Sequence, residues 1–300
     1  MTAPPASLQD DLRRAHRLEW WTLFWQGSIV GVMALVLGSS QAMKSAWIED
    51  LLGLVPATVF LIAAKLERNA PTDRFPYGFH RVNSLAFMVS AAALVAMGGY
   101  LLADSALKLV EQERPTIGQV TLLGHQLWLG WLMMAALAYS VVPPMILGRI
   151  KQPVAKRLSD KVMHTDALMQ KADWMTGLAG ILGVAGVGFG FWWADSLAAA
   201  VISLDILLDG VRSLRQAAEE LADGAPRALG SNAIAEDAAA LQTHLGERFP
   251  DARVRLRETG RYIRAEVTGA PPPAEPIDPA DYWPGPPETA WRLLSLTISR

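Results

Sequence analysis

The stretch "SAWIEDLLGLVPATVFLIAA", residues 45–64, decides how the rest of the chain is read. Behind Glu49 and Asp50 it runs uncharged to Ala64. As a helix, about 20 residues rise about 30 Å, the thickness of a bilayer's hydrocarbon. A carboxylate inside such a span costs a few kcal/mol even on lenient insertion scales, so an acid pair there is a functional suspect by default. The stretch reads as a membrane span that carries acid groups.

Composition agrees. The 300 residues are 51% hydrophobic and 19% charged, with a mean hydropathy of +0.21, a balance unusual in a soluble chain of this length. With 11 Trp the chain has many interfacial anchors, and with no Cys it excludes disulfides, zinc–thiolate sites and cysteine nucleophiles. A net charge of -2 makes no case for nucleic acid as a partner. Six runs of span length lie near residues 20–40, 42–64, 84–105, 121–147, 163–188 and 192–211. The first is read as a retained span, since no small-residue cleavage site closes it.

Basic residues orient the bundle. The arm and two connections carry Arg13, Arg14 and Arg17, then Lys65, Arg68, Arg74 and Arg81, then Arg149, Lys151, Lys156, Arg157 and Lys161. The alternate connections hold only Lys44, Lys108 and Arg114, so both termini are expected in the cytoplasm. This divides the chain into an N-terminal arm (1–19), a six-span domain (20–212) and a cytoplasmic C-terminal domain (213–300). In the last, 233–249 has helical periodicity and "ARVRLRE" and "RYIRAEV" alternate as a hairpin. A proline-rich connection follows, and "WRLLSLTIS" closes as a strand. Such a unit buries little apolar surface and would gain by pairing with a second copy.

Polar residues within the spans are few. Besides Glu49 and Asp50 they are Asp166, Lys171 and Asp173, with His164 and Gln170 nearby, and Asp195, Asp205 and Asp209 in the last run. Asp166, Met169, Gln170 and Asp173 stand at i, i+3, i+4 and i+7, one helical face. By helical rise Asp50 and Asp173 both fall near mid-membrane, where two carboxylates suit a divalent cation. The competing reading is that they neutralise Lys44 and Lys171, or sit protonated in the bundle. Asp195 reads as interfacial, and Asp205 and Asp209 as a solvated face. The glycine-rich fifth run, Gly177 to Gly186, reads as close helix packing.

On "PTDRFPYGFHRVNSLAF" (71–87) and "WWADSLAAAVISLDILLDGVRSL" (192–214), the chain resembles the cation diffusion facilitator (cation efflux) family. The resemblance implies an all-α six-helix transmembrane bundle with a small C-terminal cytoplasmic α+β, ferredoxin-like domain. It further implies a homodimer in the inner membrane, proton-coupled export of a divalent metal cation, and no cofactor. The family's paired ligand positions fall on Ala46 and Asp50 in the second span and on Met169 and Asp173 in the fifth. The implied metal site is therefore Asp50, Asp173 and Met169, with Glu49, about 100° round the helix from Asp50, either replacing the lost position or facing a neighbouring helix. Phe75 and Asn83 stand where the family carries a His and a Glu. Two classes of function follow: a metal-cation/proton antiporter, or a paralogue that keeps the fold and dimer but regulates or scaffolds without transport.

Overall fold

The computed structural model describes residues 6–36, 41–112, 119–122, 125–191 and 193–300. Six long helices come first: α1 (Ala6–Val36), α2 (Gln41–Leu66), α3 (Arg81–Val110), α4 (Leu129–Leu158), α5 (Lys161–Gly188) and α6 (Ala194–Leu221). Each has 26 to 31 residues, enough rise to cross a bilayer's hydrocarbon with a turn or more to spare. By length and composition alone, two segments among the described residues meet the usual requirement for a span, Trp47–Leu66 and Arg81–Val110. The outer surface of the other helices is nonetheless apolar: Val201, Leu204, Leu208 and Val211 form one exposed stripe on α6, and Tyr139, Val142, Ile146 and Ile150 another on α4.

Helix α5 touches α2, α3, α4 and α6, and so lies at the centre of the bundle. α3 and α6 approach closest. A Cβ added at Gly98 would stand 2.7 Å from the Leu207 backbone nitrogen, and one at Gly210 would stand 2.9 Å from that of Val95. Only glycine admits such contact. The glycine-rich run packs as expected at Gly177, where a Cβ would meet Val141 of α4 at 2.5 Å.

The fourth helix departs from expectation. Two short strands, β1 (Gln119–Leu122) and β2 (His125–Trp128), pair antiparallel, and the helix starts at Leu129 rather than at 121 and runs on to Leu158. An apolar run does not by itself distinguish strand from helix. As a result Arg149, Lys151, Lys156 and Arg157, counted above as a connection, lie on the last turns of α4.

After α6 comes the C-terminal unit. Helix α7 (Glu236–Arg248) packs on a sheet of order β3–β4–β5, with β3 (Arg253–Thr259) antiparallel to β4 (Tyr262–Thr268) and β4 parallel to β5 (Leu293–Ser299). Leu241, Leu245, Ile263, Val267 and Leu296 fill its core. A parallel pair needs a crossover. Here the proline-rich segment supplies it with two 3-10 turns, Pro279–Tyr282 and Pro287–Arg292, in place of a helix.

Candidate functional site

The α2–α5 contact is where the expected acids face one another across the bundle. Gly53, one turn beyond Glu49, lies so near α5 that an added Cβ would be 3.4 Å from Asp173 Oδ2 and 2.6 Å from Gln26 Nε2. Gln26 of α1 donates from that nitrogen to Asp173 Oδ2 at 3.1 Å. Thr176, one turn along α5, stands against the buried Glu49 carboxyl. Asp50, half-buried beside Glu49, acts electrostatically on Asp173 together with it. One amide from α1 thus holds Asp173, the two α2 carboxylates lie within electrostatic reach of it, and among the described residues Asp173 Oδ1 has no hydrogen-bond partner.

Met169 stands elsewhere on α5. It is fully buried in an apolar cluster with Ala93, Leu94 and Met97 of α3 and Ile206 of α6. A residue four positions before Asp173 lies 40° round the helix, enough to turn its thioether toward the apolar neighbours. Among the described residues, no three His, Asp or Glu side chains are grouped closely enough to hold one ion together.

The lysine on the same helix points away. Lys171 Nζ donates to Asp205 Oδ2 at 2.8 Å and lies 3.7 Å from Asp209, so its partners are on α6. That removes Lys171 as the counter-charge of Asp173 and gives Asp205 and Asp209 a partner in place of a purely solvated face. The side chains of Lys44, Ala46 and Asp195 lie outside the described residues.

The residues that sequence reading missed are on α1. Glu19, Thr22 and Gln26 stand at i, i+3 and i+7, all buried, opposite Asp166, Gln170 and Asp173 of α5. Gln170 Nε2 donates to Thr22 Oγ1 at 2.9 Å, and Lys151 of α4 bridges Glu19, at 2.7 Å, to Asp166. The signal was present as a helical polar face inside "LEWWTLFWQ".

At the end of the bundle away from β1 and β2, the β3–β4 turn enters between the helices. Gly260, at φ +62°, donates its N–H to Ser84 Oγ at 2.9 Å and to Glu220 Oε1 at 3.1 Å. An added Cβ there would meet the His80 carbonyl oxygen at 2.8 Å. Arg261, 1% exposed, reaches Asp160 at 2.8 Å and Glu67 at 3.3 Å, and Lys161 bonds both Glu220 and Glu258. Burial pushes the Glu258 carboxyl up to about 7, with Lys161 opposing the rise. Burial also acts to raise Glu67, but Arg261 and His80 outweigh it and hold that carboxyl below its usual range. Asn83, at the position where the family carries a Glu, donates to Asp160 at 3.3 Å within this network, and Phe75 is exposed and packs on Phe79.

A central helix that carries acids, in a bundle of long helices with an apolar outer surface, is the architecture of an integral membrane protein. Residues 25–222, about two thirds of the chain, match the cation efflux transmembrane domain, and the chain belongs to the cation efflux family. It is similar to the manganese efflux system protein MneS of Bacillus subtilis, 21% identical over 65% of this chain and 64% of that one. It is also similar to the probable cation efflux system protein Rv2025c of Mycobacterium tuberculosis, 26% identical over 67% and 57% respectively. A shorter match, 27% identical over 34% of this chain and 23% of the relative, is to the human probable proton-coupled zinc antiporter SLC30A4. The chain thus spans 57% to 64% of the length of the two bacterial relatives.

Proposed function

We propose that this protein exports a divalent metal cation across the inner membrane in exchange for protons. The six helices α1–α6 are the spans, both termini are cytoplasmic, and two copies form the working unit. The ion binds where α2 and α5 meet, on Asp50 and Asp173, with Glu49 in place of the position lost at Ala46 and Met169 on the apolar side. The observation that carries this reading is that Asp173 lies across the α2–α5 contact, beside Gly53 and within electrostatic reach of Glu49 and Asp50, while the lysine two residues before it is engaged by α6. Carboxylates that bind metal when ionised and protons when not couple the two fluxes, and alternating access about a mid-membrane site exposes them to each side in turn. A site of two or three protein oxygens completed by water binds weakly, which suits a carrier that must release its cargo.

Uptake of Mn2+, Zn2+ or Fe2+ into everted vesicles, with and without an imposed pH gradient, tests the reading. We expect uptake that needs the gradient and disappears in Asp50→Asn and in Asp173→Asn, with dimer yield and thermal stability near parental. Absence of flux with every ion supports the second reading, a regulator or scaffold without transport, which the Ala46 and Met169 departures favour.

A further inference from the structure

The polar ladder between α1 and α5 contains more than the proposed ion site uses. Its outermost rung, seven residues or about 10 Å along α5 from Asp173, lies toward the end of the bundle that receives the C-terminal unit. There Glu19, Asp166 and Lys151 are all fully buried, at 0% exposure. Lys151 Nζ holds one oxygen of each carboxylate, Glu19 Oε2 and Asp166 Oδ2. Among the described residues the other oxygen of each, Glu19 Oε1 and Asp166 Oδ1, has no partner, and neither has Oε1 of Gln170, whose amide donates to Asp166 Oδ2 at 3.4 Å. Gln170 is itself only 2% exposed.

A salt bridge serving packing alone satisfies the lone pairs it buries, because an empty buried acceptor has given up its hydration for nothing. This one leaves three oxygens on adjoining side chains empty, and two carboxylates face a single ammonium. Oxygen donors with surplus negative charge in a buried pocket are what a hard cation requires. From the rung to Asp173 the ladder is continuous: Thr22 with Gln170, then Gln26 with Asp173.

We propose that Glu19 and Asp166, with the Gln170 carbonyl, form a second cation station, and that the Lys151 ammonium is a tethered cation standing in the ion's place. An ion passing between the bundle end and Asp173 displaces the ammonium from the two carboxylates, and the ammonium returns once the ion has moved on. The passage rests on the transport reading above; the binding capacity of the station does not.

The test uses the purified full chain in detergent with Mn2+ as the sole probe, the free ion being read by electron paramagnetic resonance at equilibrium. Lys151→Met is expected to bind one Mn2+ per chain more than the parent. That extra ion persists in Lys151→Met/Asp173→Asn and is lost in Lys151→Met/Glu19→Gln, and added Mn2+ raises the unfolding temperature of Lys151→Met more than that of the parent. Folded Lys151→Met that binds no extra ion overturns the proposal. Should this variant fold only when Mn2+ is supplied during expression, the ion has replaced the ammonium and the proposal stands; no folded protein even with Mn2+ overturns it. Failure of the transport reading looks different, since it leaves the parent without flux for any metal and does not change the count of bound ions.

Discussion

Asp173 is the residue on which the proposed chemistry turns, and its surroundings separate the two accounts of why it is there. An acid kept to neutralise Lys171 would lose its purpose with that lysine. Lys171 is instead paired with Asp205 in a half-exposed contact, of a kind worth at most about 1 kcal/mol. Lys171→Met should therefore keep vesicle flux within about a factor of two, and a complete loss would tie the lysine to the site. Gly53 offers a sharper probe. Its missing Cβ makes room for the Gln26 amide, so Gly53→Ala should push that amide off Asp173. The amide ends a flexible side chain, so the fold should hold, while loss of its hydrogen bond to a carboxylate, of about 1.5–3 kcal/mol, should cut flux to about a tenth or less. Gly53→Ala/Gln26→Ala should lose no more than Gly53→Ala alone if the displaced amide is the cause, because contacting sites are non-additive.

At the scale of elements, the orientation of the helices rests on charge. Moving Lys151 from a connection into the bundle takes one residue from the cytoplasmic tally and leaves the asymmetry intact. The cysteine-free background permits single labels at exposed positions on opposite ends: Asp73 in the α2–α3 connection and Glu111 just after α3. In intact cells an impermeant maleimide should label Glu111→Cys and leave Asp73→Cys unlabelled until the membrane is opened; the reverse pattern would invert the topology. The helices themselves were legible because each is a long apolar run. The β1–β2 pair was not, since its short segments run directly into an apolar helix and periodicity over a few residues does not separate the two states.

For the whole molecule, the junction between bundle and C-terminal unit is the feature with a pH signature. In the unfolded chain Glu258 titrates near its usual 4.5, and burial holds it up at about 7 in the fold. Between these values the folded chain keeps a proton that the unfolded chain has lost, so stability falls as pH rises through the window and the cost is complete above about pH 7. Glu258→Gln keeps an acceptor for Lys161 but no titrating group. It should flatten the dependence of unfolding temperature on pH between 5 and 8 and gain about 1–3 kcal/mol at the upper end. A slope equal to that of the parent would assign the dependence to other groups. The small size of the C-terminal unit makes a second copy its expected partner, so light scattering of the intact chain in detergent should give twice the 32.6 kDa protomer mass.

Sequence by itself determined the bundle of long helices, the acid pair at Glu49 and Asp50, the polar face of α5 and the strand pattern of the tail. Each of these is a local periodicity or a run length, and such features are written along the chain. It also placed the family, on segments that keep their order. Tertiary structure decided which partner each charge takes. Lys171, two positions before Asp173 and so about 200° round α5 from it, is engaged by Asp205 and Asp209. Lys151, fifteen positions before Asp166 and 132 after Glu19, joins both. Asn83 sits at a position where the family carries a Glu and serves the docking of the β3–β4 turn. Pairings of this kind depend on how α1, α4, α5 and α6 are rotated about their axes, and that rotation is set by side-chain packing across the whole bundle, which no single segment encodes.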